Sequence, residues 1–256
     1  MTSRKENALG LYREGILEGH PREAVERYTG ARYTQHSTGV ADGKEGFVAF
    51  FEPFLARNPV REFDFLRALE DGQYVFLHAH QRINGGESEW ITMDLFDTDA
   101  EGKIIEHWDV IVAPQPANAS GHSQIDGPRD VTDQHLTDEH RRLVAAFVDD
   151  GLIGAQHDRI PEWVAEDYVE HAADRSDGRQ KLLAWLAAPE HPLVYEARVL
   201  TVAEGNFVAT LCRASRHGVP HCQVDLYRLQ DGLIVEHWES AEPVPPEGEW
   251  ANSGKF

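Results

Sequence analysis

The stretch Glu106-His107-Trp108-Asp109 puts an imidazole and two carboxylates into four residues with strand-like surroundings. Side chains on a strand alternate between faces, so His107 and Asp109 point one way and Glu106 and Trp108 the other. By the same rule His78 and His80 share a face, and Asp94 shares one with Thr92 and Phe96. If His107, Asp109, His78, His80 and Asp94 all line the concave side of one sheet, with His36 entering from a preceding loop, several titratable groups converge on one cavity. That set suits acid/base work, because an imidazole takes a proton and returns it near neutrality while a carboxylate fixes its tautomer. An inward carboxylate on an apolar strand, as at Asp94, is costly unless paired or used.

A second chemistry is open to the same residues. His36, His78, His80 and His107 form a candidate ligand set for zinc or iron, since H-x-H on one strand face plus a further ligand is a workable geometry. No H-E-x-x-H or paired-cysteine signature accompanies it. A structural role also fits His107, whose E-H-W context recurs later in the chain.

That recurrence sets the architecture. Gly102-Lys103-Ile104-Ile105-Glu106-His107-Trp108-Asp109 is answered by Gly232-Leu233-Ile234-Val235-Glu236-His237-Trp238-Glu239. Met93-Asp94-Leu95-Phe96 is answered by Val224-Asp225-Leu226-Tyr227, and Tyr33-Thr34-Gln35-His36 by Tyr168-Val169-Glu170-His171. The order is the same in both halves, so the chain is an internal duplication. A Pro/Gly/Ser/Asn-rich stretch separates the copies, giving domains over 1–116 and 134–256 with a linker over 117–133.

Each half reads as helices followed by strands, an α+β pattern. In the first, helices are expected over 5–17, from Pro21, and over 44–56, with Phe47, Phe50, Phe51 and Phe54 as a stripe belonging to the core. Strands follow over 61–69, 74–83, 89–96 and 104–112, and Tyr33 to His36 is expected in a turn. In the second, helices are expected over 138–153, 161–165 and 179–187, and strands around 195–202, 207–215, 222–229 and 234–241. About three helices on a curved antiparallel sheet make a cone with an interior pocket in each half.

Charge narrows the partners. The chain has 24 Lys plus Arg against 44 Asp plus Glu, and a net charge of −20 repels nucleic acid and anionic membranes. The N-terminal stretch lacks the apolar core of a leader peptide, so a cytoplasmic location is expected. Cys212 and Cys222 flank the His217-Gly218 turn signal and are expected as reduced, half-buried thiols, although a bridge across a hairpin is conceivable.

The Tyr33-Thr34-Gln35-His36 segment, the Asp94-Leu95-Phe96 strand, the run Gly102 to Val110 and the ending Glu247 to Phe256 resemble the SnoaL-like polyketide cyclases of the nuclear-transport-factor-2-like superfamily. The resemblance spans nearly the whole chain as two consecutive domains. It implies a cone with a deep pocket and cofactor-free aldol-type ring closure, isomerisation or dehydration of a small hydrophobic carbonyl compound in secondary metabolism. Asp94 or Asp109 would be the base, and His107 or His36 would polarise the carbonyl and protonate the alkoxide. Tyr33, His78, Phe51 and Trp90 would touch the substrate. The pairing usual in the family implies an intramolecular pseudo-dimer, with further homo-oligomers open, and the second domain, with Glu239 for Asp109, would be chiefly a partner. A metal-dependent oxygenase or lyase using iron or zinc, and a non-catalytic binding protein, are the alternatives.

Overall fold

The computed structural model describes residues 3–188 and 193–256. It divides into two compact units that are not consecutive halves: Met1–Ala113 with Pro245–Phe256, and Pro114–Val244. The whole stretch expected as a linker, 117–133, therefore belongs to the second unit, and the final segment of the second copy belongs to the first.

In the first unit, α1 (Arg4–Gly10) starts where the Ser3 side chain caps the Glu6 amide, and runs into a π-helical stretch over Leu11–Leu17. Pro21 opens α2 (Pro21–Tyr28), as its fixed φ favours the first helical turn, and α3 spans Gly43–Arg57. Five strands follow the order β1-β5-β4-β3-β2, with β1 at Thr29–Gln35, β2 at Arg61–Asp71, β3 at Tyr74–Ile83, β4 at Ser88–Thr98 and β5 at Ile104–Val112.

Two expectations change here. Tyr33 to Gln35 is strand, not turn, and β1 runs parallel to β5, so the sheet is mixed instead of wholly antiparallel. The signal was weak because Gly30, Arg32 and Gln35 interrupt the apolar alternation on which strand recognition rests.

The second unit repeats the plan with β6-β10-β9-β8-β7. Its helices are α4 (Thr137–Ala146), again followed by a π-helical stretch over Phe147–Ile153, and α5 (Arg179–Leu186). Its strands are β6 (Val164–Glu170), β7 (Leu193–Glu204), β8 (Phe207–Arg216), β9 (Val219–Gln230) and β10 (Leu233–Pro243). The helix expected from Pro161 is a 3₁₀ turn that ends at Glu162, because Val164 already enters β6. Cys222 pairs with Arg213 and Cys212 with Gln223, so the two buried thiols fall on opposite faces of the sheet and are free. Among the described residues no helix is long and apolar enough to cross a membrane.

Each unit has its own core between helices and one sheet face. Val75, Leu77, Phe96 and Ile104 meet Ala8, Leu11 and Val25 in the first, and Val208, Cys212, Tyr227 and Ile234 meet Val144, Phe147 and Leu182 in the second. Each fully buried large apolar side chain stabilises its unit by about 1.5–3 kcal/mol.

Candidate active site

Strand register decides which titratable groups meet. Leu77 of β3 pairs with Asp94 of β4, and Asp94 pairs with Asp109 of β5. Directly paired residues share a face, so Asp94 and Asp109 point inward with Leu77, and His107 joins them from two residues earlier. His78, beside Leu77, must point outward with His80.

The expected convergence therefore splits. His78 is buried on the opposite face with its Nδ1 3.2 Å from Arg67 Nη1, and His80 Nε2 lies 3.0 Å from Glu89 Oε2. His36 stacks on Trp108 at a ring separation of 4.5 Å and donates from Nδ1 to the Gly254 carbonyl at 2.7 Å. It belongs with Glu106 and Trp108 on the outward face, since residues 35 and 107 are register partners and residue 36 falls on the next pleat. The histidine quartet His36, His78, His80 and His107 is thus dispersed over both faces, and His78 does not reach the cavity.

Of the inward groups, His107 and Asp109 border a cavity of about 260 Å³. Its walls are mostly apolar: Leu11, Ile16, Val40 and Ile111 with the aromatic rings of Phe47, Phe50, Phe51, Phe54 and Trp90. In the phenylalanine stripe of α3, Phe47 belongs to the core and Phe51 and Phe54 pack against it as expected, while all four rings also face the cavity and Phe50 is 42% exposed. The polar lining consists of Tyr12, Tyr33, Gln35, Ser37, Gln81, His107 and Asp109. Of the residues expected to touch a substrate, Tyr33, Phe51 and Trp90 line this cavity.

At the cavity floor, His107 Nε2 lies 3.1 Å from Asp94 Oδ1, which also accepts the Tyr12 hydroxyl at 2.5 Å. Asp94 is fully buried beneath these two groups. A carboxylate there fixes the imidazole with its proton on Nε2. Nδ1 of His107 is buried and has no hydrogen-bond partner among the described residues, which leaves it as the acceptor nitrogen. Burial alone would raise the Asp109 carboxyl, but the Lys255 ammonium, His107 and hydrogen bonds from Lys255 and Ser37 outweigh it and hold the group below its ordinary value. Tyr33 is pushed the other way by burial and by Asp109, and accepts a bond from Gln35 Nε2 that leaves its own O–H to donate.

Asp94, His107 and Asp109 offer ligand atoms within 4.8 Å of one another. Lys255 Nζ, 3.1 Å from Asp109 Oδ1, places an ammonium where a divalent ion would need that carboxylate. Like charges repel at such distances, so the ammonium opposes a divalent ion there.

The second unit keeps the plan and loses the cavity. Tyr195 takes the role of Tyr12 by donating to Asp225 Oδ1 at 2.9 Å, and His237 Nε2 lies 3.0 Å from the same oxygen. Glu170, the counterpart of Gln35, engages His237 Nδ1 at 2.9 Å. Although burial disfavours the cation, Glu170 and Asp225 lift His237 to about 9, so it is an imidazolium at neutral pH. Arg175 and Arg216 pair with Glu239, and about 10 Å³ of open volume remains between Phe147, Tyr195, Tyr227 and His237, against about 260 Å³ at the corresponding place in the first unit.

Residues 11–107 match the model of the SnoaL-like domain, and the second unit has the same strand order as the first. Solved structures with this likeness include a proposed ketosteroid isomerase from Kribbella flavida (20% identity, 44% of this chain and 86% of that one, TM-score 0.39). Others are a proposed SnoaL-like polyketide cyclase from Jannaschia sp. (22%, 42% and 84%, TM-score 0.36) and a LEH-like epoxide hydrolase from M. tuberculosis (19%, 41% and 84%, TM-score 0.36). A comparison with curated proteins finds no match.

Sequence reasoning missed Tyr12, Gln35, Gln81 and Lys255. Gln35 had a visible signal, the Gln-for-Glu difference between Tyr33-Thr34-Gln35-His36 and Tyr168-Val169-Glu170-His171. Tyr12 and Lys255 had none, because each reaches the site from a distant part of the chain.

Proposed function

We propose that this chain is a cofactor-free enzyme that transfers protons at carbon on a small, largely apolar carbonyl compound within the first unit. The observation that carries the reading is an ionised carboxylate, Asp109, and an imidazole acceptor, His107, side by side on the wall of an aromatic-lined cavity.

Asp109 takes the proton from carbon next to the carbonyl, and the C–H electron pair moves into an enolate. The Tyr33 hydroxyl donates to the enolate oxygen, which is the charge that develops in the transition state. His107, held through Nε2 by Asp94, takes a proton at Nδ1 in one step and returns it in a later one. Return of the proton to a different carbon gives isomerisation, attack of the enolate carbon on a second carbonyl gives ring closure, and expulsion of a hydroxyl gives dehydration. The second unit, with its cavity filled, acts as a partner and not as a second centre.

The test is hydrogen–deuterium exchange into an aryl ketone whose spontaneous exchange is slow, followed by NMR in D₂O with chelator-treated protein. Exchange that depends on Asp109 supports the reading. Exchange that appears only when iron or zinc is restored would replace it with the metal-dependent alternative. Ligand binding with no exchange for any carbonyl compound would leave a binding protein.

A further inference from the structure

The two units compensate the charge of the same inward carboxylate in different places. In the second unit the cations Arg175 and Arg216 reach Glu239, Arg175 itself borders the remnant cavity, and Trp185 covers its guanidinium at 4.5 Å. In the first unit the cation comes from the final segment: Lys255 Nζ donates to the Asp109 carbonyl at 2.5 Å and to Oδ1 at 3.1 Å. Lys255 is 1% exposed and lies outside the cavity lining, whereas Asp109 is part of it.

The segment is built to deliver this side chain. Ala251 N–H donates to the Thr38 carbonyl, and Asn252 Nδ2 donates to the carbonyls of Ser37 and Val40 at 2.6 and 2.9 Å. Gly254 accepts the His36 Nδ1 proton and turns the chain with φ +113°, a value that side chains disfavour, and a Cβ there would meet the Trp250 ring at 2.6 Å. The second unit has the same device with different chemistry. His171 Nδ1 bonds the Ser123 carbonyl as His36 bonds Gly254, and the next residue, Gln124, offers only a neutral amide to the Glu239 carbonyl at 3.5 Å.

We propose that Lys255 is a positioning residue of the first-unit site: the final segment seats its ammonium behind Asp109, which holds the carboxylate at the cavity wall and leaves the space before it open. The counterpart segment, which carries Gln124 at this place, supplies no charge, and Arg216 together with Arg175, which borders the remnant cavity, pairs with Glu239 instead. The groups facing Asp109 are Lys255 from the final segment, His107 from its own strand, Asp94 from β4, Tyr33 from β1 and Tyr12 from the π-helical stretch. Lys255 is the ammonium among them. The inference rests on the reading of Asp109 as the base, but its test does not need substrate.

The experiment is a carboxyl-carbon NMR titration of Asp109 in the full chain labelled with carbon-13 aspartate, the signal being assigned by its loss in Asp109→Asn. The wild-type midpoint is expected below the ordinary value of about 3.9. Lys255→Gln, which copies Gln124, is expected to raise it by at least one unit, a tenfold change in proton affinity, while Lys255→Arg keeps it within half a unit. The acid limb of the exchange rate should move with the midpoint. An unmoved midpoint in folded Lys255→Gln overturns the proposal, and so does a wild-type midpoint at or above the ordinary value, which needs no variant. Absence of exchange activity with the expected titrations would sink the proposed function and leave the role of Lys255 standing.

Discussion

Gln35 and Glu170 occupy the same place in the two units, each paired in register with the histidine of the neighbouring strand, and they give Nδ1 of those histidines different surroundings. Glu170 sits 2.9 Å from His237 Nδ1, while Nδ1 of His107 has no partner among the described residues. One amide-for-carboxylate difference thus separates a histidine whose Nδ1 faces no carboxylate from one whose Nδ1 is held by Glu170.

Gln35→Glu should therefore convert the first site toward the second. The His107 imidazole is expected to titrate at least one unit higher than in the wild type, and exchange near neutral pH to fall tenfold or more as Nδ1 becomes protonated. Imidazole NMR titration with parallel rate measurement checks this. An unmoved His107 would show that Gln35 does not govern it.

Asp109→Asn should lower exchange by about 10²–10⁴-fold, the range for loss of a positioned base. It should also destabilise the fold, because the buried ion pair between Lys255 and Asp109 is lost. Combining it with Lys255→Gln is expected to recover stability without recovering rate. Strict additivity of the two stability changes in a double-mutant cycle would count against the pair.

His237 makes stability depend on pH in a stated direction. Its folded value of about 9 exceeds the ordinary value of 6.5, so its contribution is complete below about 6.5 and is lost as pH rises through 9. Urea midpoints should fall across that window in the wild type. In His237→Gln, overall stability is expected to be lower and that fall to be reduced.

Filling the cavity should separate binding from folding. Phe51→Trp or Phe54→Trp adds volume to a wall that faces about 260 Å³ of open space, so the melting temperature should hold or rise. Affinity for an apolar fluorescent probe should drop about tenfold, roughly 1.4 kcal/mol. Unchanged probe affinity would place binding elsewhere.

Tyr12→Phe removes the hydroxyl that donates to Asp94 Oδ1 and should cost about 1.5–3 kcal/mol, the usual worth of a hydrogen bond to a charged group. Chemical denaturation measures it, and a change below 0.5 kcal/mol, well under the usual worth of such a bond, would show that His107 alone satisfies that oxygen.

Local pattern determined a good deal of this protein. The duplication, the helices-then-strands order and the shared face of His107 and Asp109 follow from period-2 alternation and from residues matched in order, all short-range features. The inward direction of Asp94 was legible too, since a carboxylate repeated in an apolar strand needs a partner. Only tertiary structure decided that His78 and His80 face away, because the pairing of Leu77 with Asp94 depends on where two strands meet across a turn and a one-residue slip reverses every side chain. It also decided that the segment ending Gly254-Lys255-Phe256 returns to the first unit. That contact joins residues far apart in the chain, and neither periodicity nor composition records which buried carboxylate a distant lysine will reach.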